Sequence, residues 1–158
     1  MATAHLCCGR LCSGKSWFAR ELAKEKNAVI LSCDEIMTLF PQPEGDEAYA
    51  RVSQRVKDHL YQKAQEILRC GTDVILDWGF WKKAERQAAQ ALFSARGIPV
   101  QWYYLDISED TWLQNIACRN AHKGPSDYAV DEGLKNKCLA LFEAPDEIES
   151  AGWRIIRR

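Results

Sequence analysis

Gly9-Arg10-Leu11-Cys12-Ser13-Gly14-Lys15-Ser16 fits the pattern G-x-x-x-x-G-K-[ST] at every position. Each residue type in it has a physical task. Gly9 and Gly14 let the chain turn tightly, so that several backbone N–H groups converge on phosphate oxygens. The helix expected to start at Ser16 adds the partial positive charge of its N-terminus. Lys15 supplies a point charge for the β- and γ-phosphates of a nucleotide, and the Ser16 hydroxyl a ligand for Mg²⁺. Trp17, the next residue, is expected among the nucleotide contacts. The setting is the one the pattern requires: Ala4–Cys8 is an apolar run suited to a buried parallel strand, and a helical spacing follows the loop.

Working outward, the same grammar repeats. Trp17, Phe18, Leu22 and Ala23 place a helix over 16–26, and 28–31 is a second apolar run. A short helix is expected over 35–40, stopped by Pro41 and Pro43. Between Asp46 and Arg69, apolar residues recur at three- and four-residue steps, which predicts a long amphipathic helix with Gly71 after its end. A strand over 73–76 closes on Asp77, followed by a helix over 82–96 and a strand over 100–105. Ser108 is placed as the cap of a helix whose first turn carries Glu109 and Asp110. The polar stretch 120–128, broken by Gly124-Pro125, predicts a loop; a helix over 130–142 and a strand over 153–156 complete the chain. Strands alternating with helices imply a three-layer α/β/α sandwich around a parallel sheet of about five strands, built as one domain over residues 1–158.

Composition narrows the function classes. Across 158 residues the net charge is −1, so no global positive field draws the chain to nucleic acid or an anionic membrane. No apolar run is long enough to span a bilayer, and MATAHLCC lacks the basic and apolar parts of a signal peptide. Seven cysteines without a C-x-x-C pair, and three scattered histidines, read as reduced thiols rather than a disulfide framework or zinc site. A cytoplasmic location and no obligate protein partner are the expectation.

Asp77 closes Val74-Ile75-Leu76, the arrangement in which a strand-end carboxylate helps hold Mg²⁺ beside Ser16. A GTPase switch is disfavoured: Asn136-Lys137-Cys138-Leu139 lacks the aspartate of N-K-x-D, and Asp77-Trp78-Gly79-Phe80 has the wrong spacing for D-x-x-G. With GRLCSGKS, the segments ILSCDEI (30–36), VILDWGFWKKAER (74–86), CRN (118–120) and LFEAPDEIE (141–149) fall in order along nearly the whole chain. In these the chain resembles the small P-loop kinases, the group related to chloramphenicol phosphotransferase, zeta toxins, gluconate kinase and the kinase domain of polynucleotide kinases.

That resemblance implies an ATP-dependent phosphotransferase with Mg²⁺, acting on a hydroxyl group. It implies that Asp34 binds the acceptor and takes its proton, with helix capping as the competing role for that residue. It also implies a lid over residues 119–128 whose Arg119 covers the nucleotide and neutralises the transferring phosphoryl group. Trp78, Phe80 and Trp81 follow Asp77 closely and are candidates to stack on an acceptor, or else core residues; Arg86 is placed to reach the same pocket. Polynucleotide kinases typically carry an arginine one turn after the acceptor-binding aspartate, where this chain has Met37 and Thr38. A small acceptor such as a drug, sugar or nucleoside is therefore preferred, with a nucleic-acid acceptor and a slow ATPase acting as a regulator left open.

Overall fold

The computed structural model describes residues 1–124 and 129–158. Its elements run β1 (Ala4–Cys8), α1 (Lys15–Lys26), β2 (Val29–Ser32), α2 (Cys33–Met37), α3 (Asp46–Arg69), β3 (Val74–Asp77), α4 (Lys83–Ser94), β4 (Val100–Asp106), α5 (Glu109–Ala121), α6 (Glu132–Leu141) and β5 (Arg154–Arg157). The five strands form one sheet in the order β2-β3-β1-β4-β5, every neighbouring pair parallel. This is the α/β sheet expected from the alternation of strands and helices. The expected lid falls in part on residues 125–128, which lie outside the described residues.

The two-residue period of the strands sorts their side chains onto opposite faces. On one face Leu6, Cys8, Val74, Leu76 and Trp102 pack with Leu60, Ala64 and Leu68 of α3 and with Ala89 and Phe93 of α4. On the other, Cys7, Ile75 and Tyr103 meet Ala19 and Leu22 of α1. His5 also lies on this second face, held between Asp73 Oδ2 at 3.0 Å and the Tyr103 hydroxyl at 3.2 Å. A third cluster, Leu11, Trp112, Ile116 and Cys138, sits under α5 and α6 and supports the loop after β1.

Several boundaries differ from the sequence reading for local reasons. Helix α2 begins at Cys33, because the Ser32 hydroxyl accepts the Glu35 N–H at 3.3 Å and so caps the helix earlier than expected. It stops at Met37, whose carbonyl accepts from Gln42 Nε2 at 2.7 Å ahead of Pro43. Helix α3 has the expected bounds, and Gly71 follows it at φ 84°, the left-handed conformation that ends a helix at little cost for glycine. Among the described residues no helix is long and apolar enough to cross a membrane.

Register then fixes the site. Ser32 pairs with Asp77 and Leu6 with Leu76, so β1, β2 and β3 finish side by side. The loop after β1, the start of α2 and Asp77 thus share the carboxyl edge of the sheet, where ligands bind in open parallel folds.

Candidate active site

The loop after β1 closes tightly on itself. A Cβ on Gly9 would lie 2.6 Å from Ser13 Oγ and 3.3 Å from the Leu105 carbonyl oxygen, so a larger residue there would have to displace the Ser13 hydroxyl that Lys15 contacts. Cys12 at φ 55° and Gly14 at φ 89° are both left-handed, which turns successive N–H groups toward the cradle. Lys15 Nζ donates to the Gly9 carbonyl at 3.1 Å, the Arg10 carbonyl at 2.7 Å and Ser13 Oγ at 3.4 Å. Burial pulls the Lys15 ammonium below its ordinary pKa, while Asp77, Cys8 and Asp34 act in the opposite direction.

Ser16 and Asp77 come together, as the motif requires. The Ser16 hydroxyl lies close enough to the Asp77 carboxylate to favour its ionised form, and the two make a hard-oxygen pair of the kind Mg²⁺ uses along with water and phosphate oxygens. Burial pushes Asp77 above the usual aspartate range and the negative charge of Asp34 adds to that; Ser16, Lys15 and Arg20 oppose it. Lys15, Asp77 and Asp34 are thus near enough at this edge of the sheet for their charges to act on one another. Asp34 is exposed in the first turn of α2, and Ser32 rather than Asp34 performs the capping. Tyr49 of α3 stands beside it: burial raises the phenol's pKa, and Asp34 and Cys33 raise it further.

One face of α5 walls the loop from the other side. Trp112 Nε1 donates to the Leu11 carbonyl at 2.6 Å, and Asn115 Nδ2 to the Cys12 carbonyl at 2.9 Å. Arg119 Nη1 reaches Cys12 Sγ at 3.8 Å. Trp112, Asn115 and Arg119 are spaced as residues of one helix face, and that spacing was the only sequence signal for the first two. Arg10 points away from the cradle: it pairs with Glu109 at 3.1 Å, donates to the Ile107 carbonyl at 3.0 Å and lies 4.3 Å from the centre of the Trp112 ring. Asn120 brackets the segment beyond α5 at its base, donating to the Val130 carbonyl and accepting from the Val130 N–H, both at 2.8 Å.

Trp17 is half exposed at the start of α1, with the Arg158 guanidinium 4.6 Å from its ring centre. Of the three aromatics after Asp77, Trp78 and Phe80 lie inside and Trp81 is partly buried. Trp78 is 5% exposed and Phe80 1%, stacked on each other at 5.2 Å, with Tyr61 against one and Trp102 against the other. Trp81 packs against the cluster under α5. The rings of Trp78 and Phe80 are covered by protein, so the structure gives these two the core role among the two the sequence allowed. Arg86 is likewise structural. Buried to 1% exposure, it forms a two-pronged pair with Glu149 at 2.7 and 2.9 Å and donates to the Phe80 and Trp81 carbonyls at 2.9 and 3.2 Å. It thereby holds Phe80 at φ 47°, a strained conformation for an aromatic residue. Cys7 and Cys8 are core thiols; burial pushes Cys8 up to about 12.

A glycine-rich strand-loop-helix cradle on a parallel sheet, with a hydroxyl and a carboxylate beside its lysine, defines an α/β P-loop protein. The chain belongs to a family described as an AAA domain, whose profile matches residues 5–145. Solved structures share its fold. A sugar kinase from Janibacter is 18% identical with a TM-score of 0.67, over 99% of this chain and 86% of that one. A gluconokinase from Sinorhizobium meliloti is 16% identical with a TM-score of 0.63, over 98% of this chain and 82% of that one. The APS kinase of Mycobacterium tuberculosis, in complex with AMPPNP and APS, is 18% identical with a TM-score of 0.65, over 99% and 88%. No curated protein sequence matches the chain at a significant level.

Proposed function

We propose that the protein is an ATP-dependent kinase that transfers the γ-phosphoryl group to a hydroxyl of a small molecule. The observation that carries this reading is the convergence of Lys15, Ser16–Asp77 and Asp34 on one space at the carboxyl edge of the sheet. A pure nucleotide-binding site has no need of a second, exposed carboxylate near the lysine. A hydroxyl acceptor does, because it must lose its proton as it attacks phosphorus.

In this reading the loop N–H groups and the α1 N-terminus hold the phosphate chain. Lys15 exchanges the Gly9 and Arg10 carbonyls for phosphate oxygens, which suits an ammonium already directed into the loop. Ser16 and Asp77 would hold Mg²⁺, which when bound supplies charge neutralisation for the phosphates. Asp34 accepts the acceptor's proton as its oxygen forms a bond to the γ-phosphorus. The bond from that phosphorus to the bridging oxygen breaks, and ADP leaves with the electron pair. Arg119, standing beside Cys12, neutralises charge on the moving group from the α5 side.

Incubation with Mg²⁺-ATP and a panel of hydroxylated drugs, sugars, nucleosides and 5′-hydroxyl oligonucleotides, read by mass spectrometry, tests this. Lys15→Ala serves as the blank. A small molecule that gains one phosphoryl group with the native chain and not with the blank supports the reading. ATP hydrolysis that no acceptor accelerates, or labelling confined to oligonucleotides, contradicts it.

A further inference from the structure

Residues 10–13 make a four-residue turn within the phosphate loop, closed by the Ser13 N–H on the Arg10 carbonyl at 3.2 Å. Its third residue, Cys12, stands at φ 55°, while Leu11 before it keeps an ordinary negative φ. A turn whose φ is positive only at the third position ordinarily takes glycine or asparagine there, because a Cβ crowds the backbone in that conformation. Cysteine is neither. Its left-handed backbone therefore has to be held from outside the turn.

Helix α5 supplies the hold. Asn115 Nδ2 donates to the Cys12 carbonyl at 2.9 Å, and Trp112 Nε1, one turn earlier, to the Leu11 carbonyl at 2.6 Å. The carbonyls of both central residues of the turn are thus anchored to one helix face. In a trans peptide the C=O and N–H point in opposite directions. A Cys12 carbonyl held toward α5 therefore keeps the Ser13 N–H turned away from that helix and onto Arg10. The Arg10 carbonyl also receives Lys15 Nζ at 2.7 Å, which ties the turn to the lysine of the cradle. A parallel stands after β3. Among the described residues, Cys12, Asn27 and Phe80 are the non-glycine residues with positive φ. Asn27 ends α1, where asparagine tolerates the conformation, and Phe80 carries the Arg86 guanidinium on its own carbonyl at 2.9 Å. In both costly cases a helix side chain donates to the carbonyl of the strained residue.

We propose that Asn115 is a positioning residue for nucleotide binding: its amide holds Cys12 in the left-handed conformation that shapes the phosphate loop, so that the loop's affinity for phosphates is set in part from α5. Trp112 shares the anchoring but is also a core residue, which makes the half-buried Asn115 the cleaner handle. The inference rests on the nucleotide-binding part of the kinase reading and on no acceptor.

The test is the affinity of the full chain for Mg²⁺-ATP, measured by calorimetry beside the melting temperature. Asn115→Leu keeps the size of the side chain and removes the donor, and affinity should fall about tenfold. Cys12→Gly alone should change affinity by less than about twofold, since glycine takes the left-handed conformation unaided. Placed in the Asn115→Leu chain, Cys12→Gly should restore most of the lost affinity, which a merely structural role for Asn115 would not allow. Asn115→Ala carries the same expectations should the leucine variant fail to fold. Across the site, Ile36, Met37, Val52 and Val56 line a cleft between α2 and α3, and Val52→Trp there should leave affinity as it was. Native affinity in Asn115→Leu, a loss that Cys12→Gly does not restore, or an equal loss in Val52→Trp would overturn the assignment and leave the kinase reading standing. The expected pattern with no alcohol phosphorylated would fault that reading and keep the role of Asn115.

Discussion

The phosphate loop is tied down from every side, whereas the cleft between α2 and α3 is shaped mainly by apolar walls. Around the loop, the carbonyls of Gly9, Arg10, Leu11 and Cys12 all accept side-chain hydrogen bonds, from Lys15, Trp112 and Asn115. Across the site, α2 is five residues long, its Asp34 is exposed, and Leu39 and Phe40 after it are each 67% exposed. The difference follows from the two tasks. A phosphate chain is the same in every donor and rewards fixed donors placed in advance. In the proposed reading acceptors differ in shape, and selecting one would fall to side chains rather than to a rigid backbone cradle.

If the rigid half is as described, its buried supports should carry most of the stability. Arg86→Met would leave the Glu149 carboxylate buried without its partner and the Phe80 and Trp81 carbonyls without a donor. A loss of about 3–5 kcal/mol is expected, read as a lower denaturant midpoint. An unchanged midpoint would mean that the turn after Asp77 is held by its aromatics alone.

A smaller effect is expected where α5 meets the loop. Trp112→Phe keeps the ring packing and removes the N–H that meets the Leu11 carbonyl at 2.6 Å. It should lower stability by about 1–3 kcal/mol and weaken Mg²⁺-ATP binding measured by calorimetry. Val52→Trp on the cleft side should leave nucleotide affinity as it was. Equal effects from both would erase the contrast between the two halves.

The smallest effect sharpens the electrostatics. Asp77 has a raised pKa in the folded chain, so the folded state binds that proton more tightly than the unfolded state does. The ligand-free protein should accordingly lose some stability as pH rises from 3.8, the ordinary value, through the raised one. Mg²⁺-ATP needs the carboxylate ionised, so its stabilising effect should grow over the same window. Melting temperatures against pH, with and without Mg²⁺-ATP, should diverge in the native chain and run closer to parallel in Asp77→Asn.

How much of this was legible from residues alone depends on where the determining contacts lie. Strand β1, helix α3 and the phosphate cradle are written in local spacing, and their bounds follow from it. The start of α2 hinged on which of Ser32 and Asp34 caps the helix, two neighbours with equal capping chemistry. Trp78 and Phe80 could be stacking platforms or core, because a strand's alternation stops at its end and nothing in sequence says which way the next rings turn. Arg86 and Glu149 are 63 residues apart, and their pairing exists only once α4 and the 141–149 segment are packed. Trp112 and Asn115 were hidden for the same reason, since their partners are backbone carbonyls about a hundred residues earlier.

The central claim is that a fixed phosphate cradle and a separate carboxylate meet in one reaction. Single-turnover phosphoryl transfer by Asp34→Asn, at saturating Mg²⁺-ATP and with nucleotide affinity measured on the same sample, tests it most directly. The account predicts transfer slower by roughly 10²–10⁴-fold with affinity for Mg²⁺-ATP essentially unchanged. Transfer at the native rate, or a loss explained wholly by weaker nucleotide binding, would contradict it.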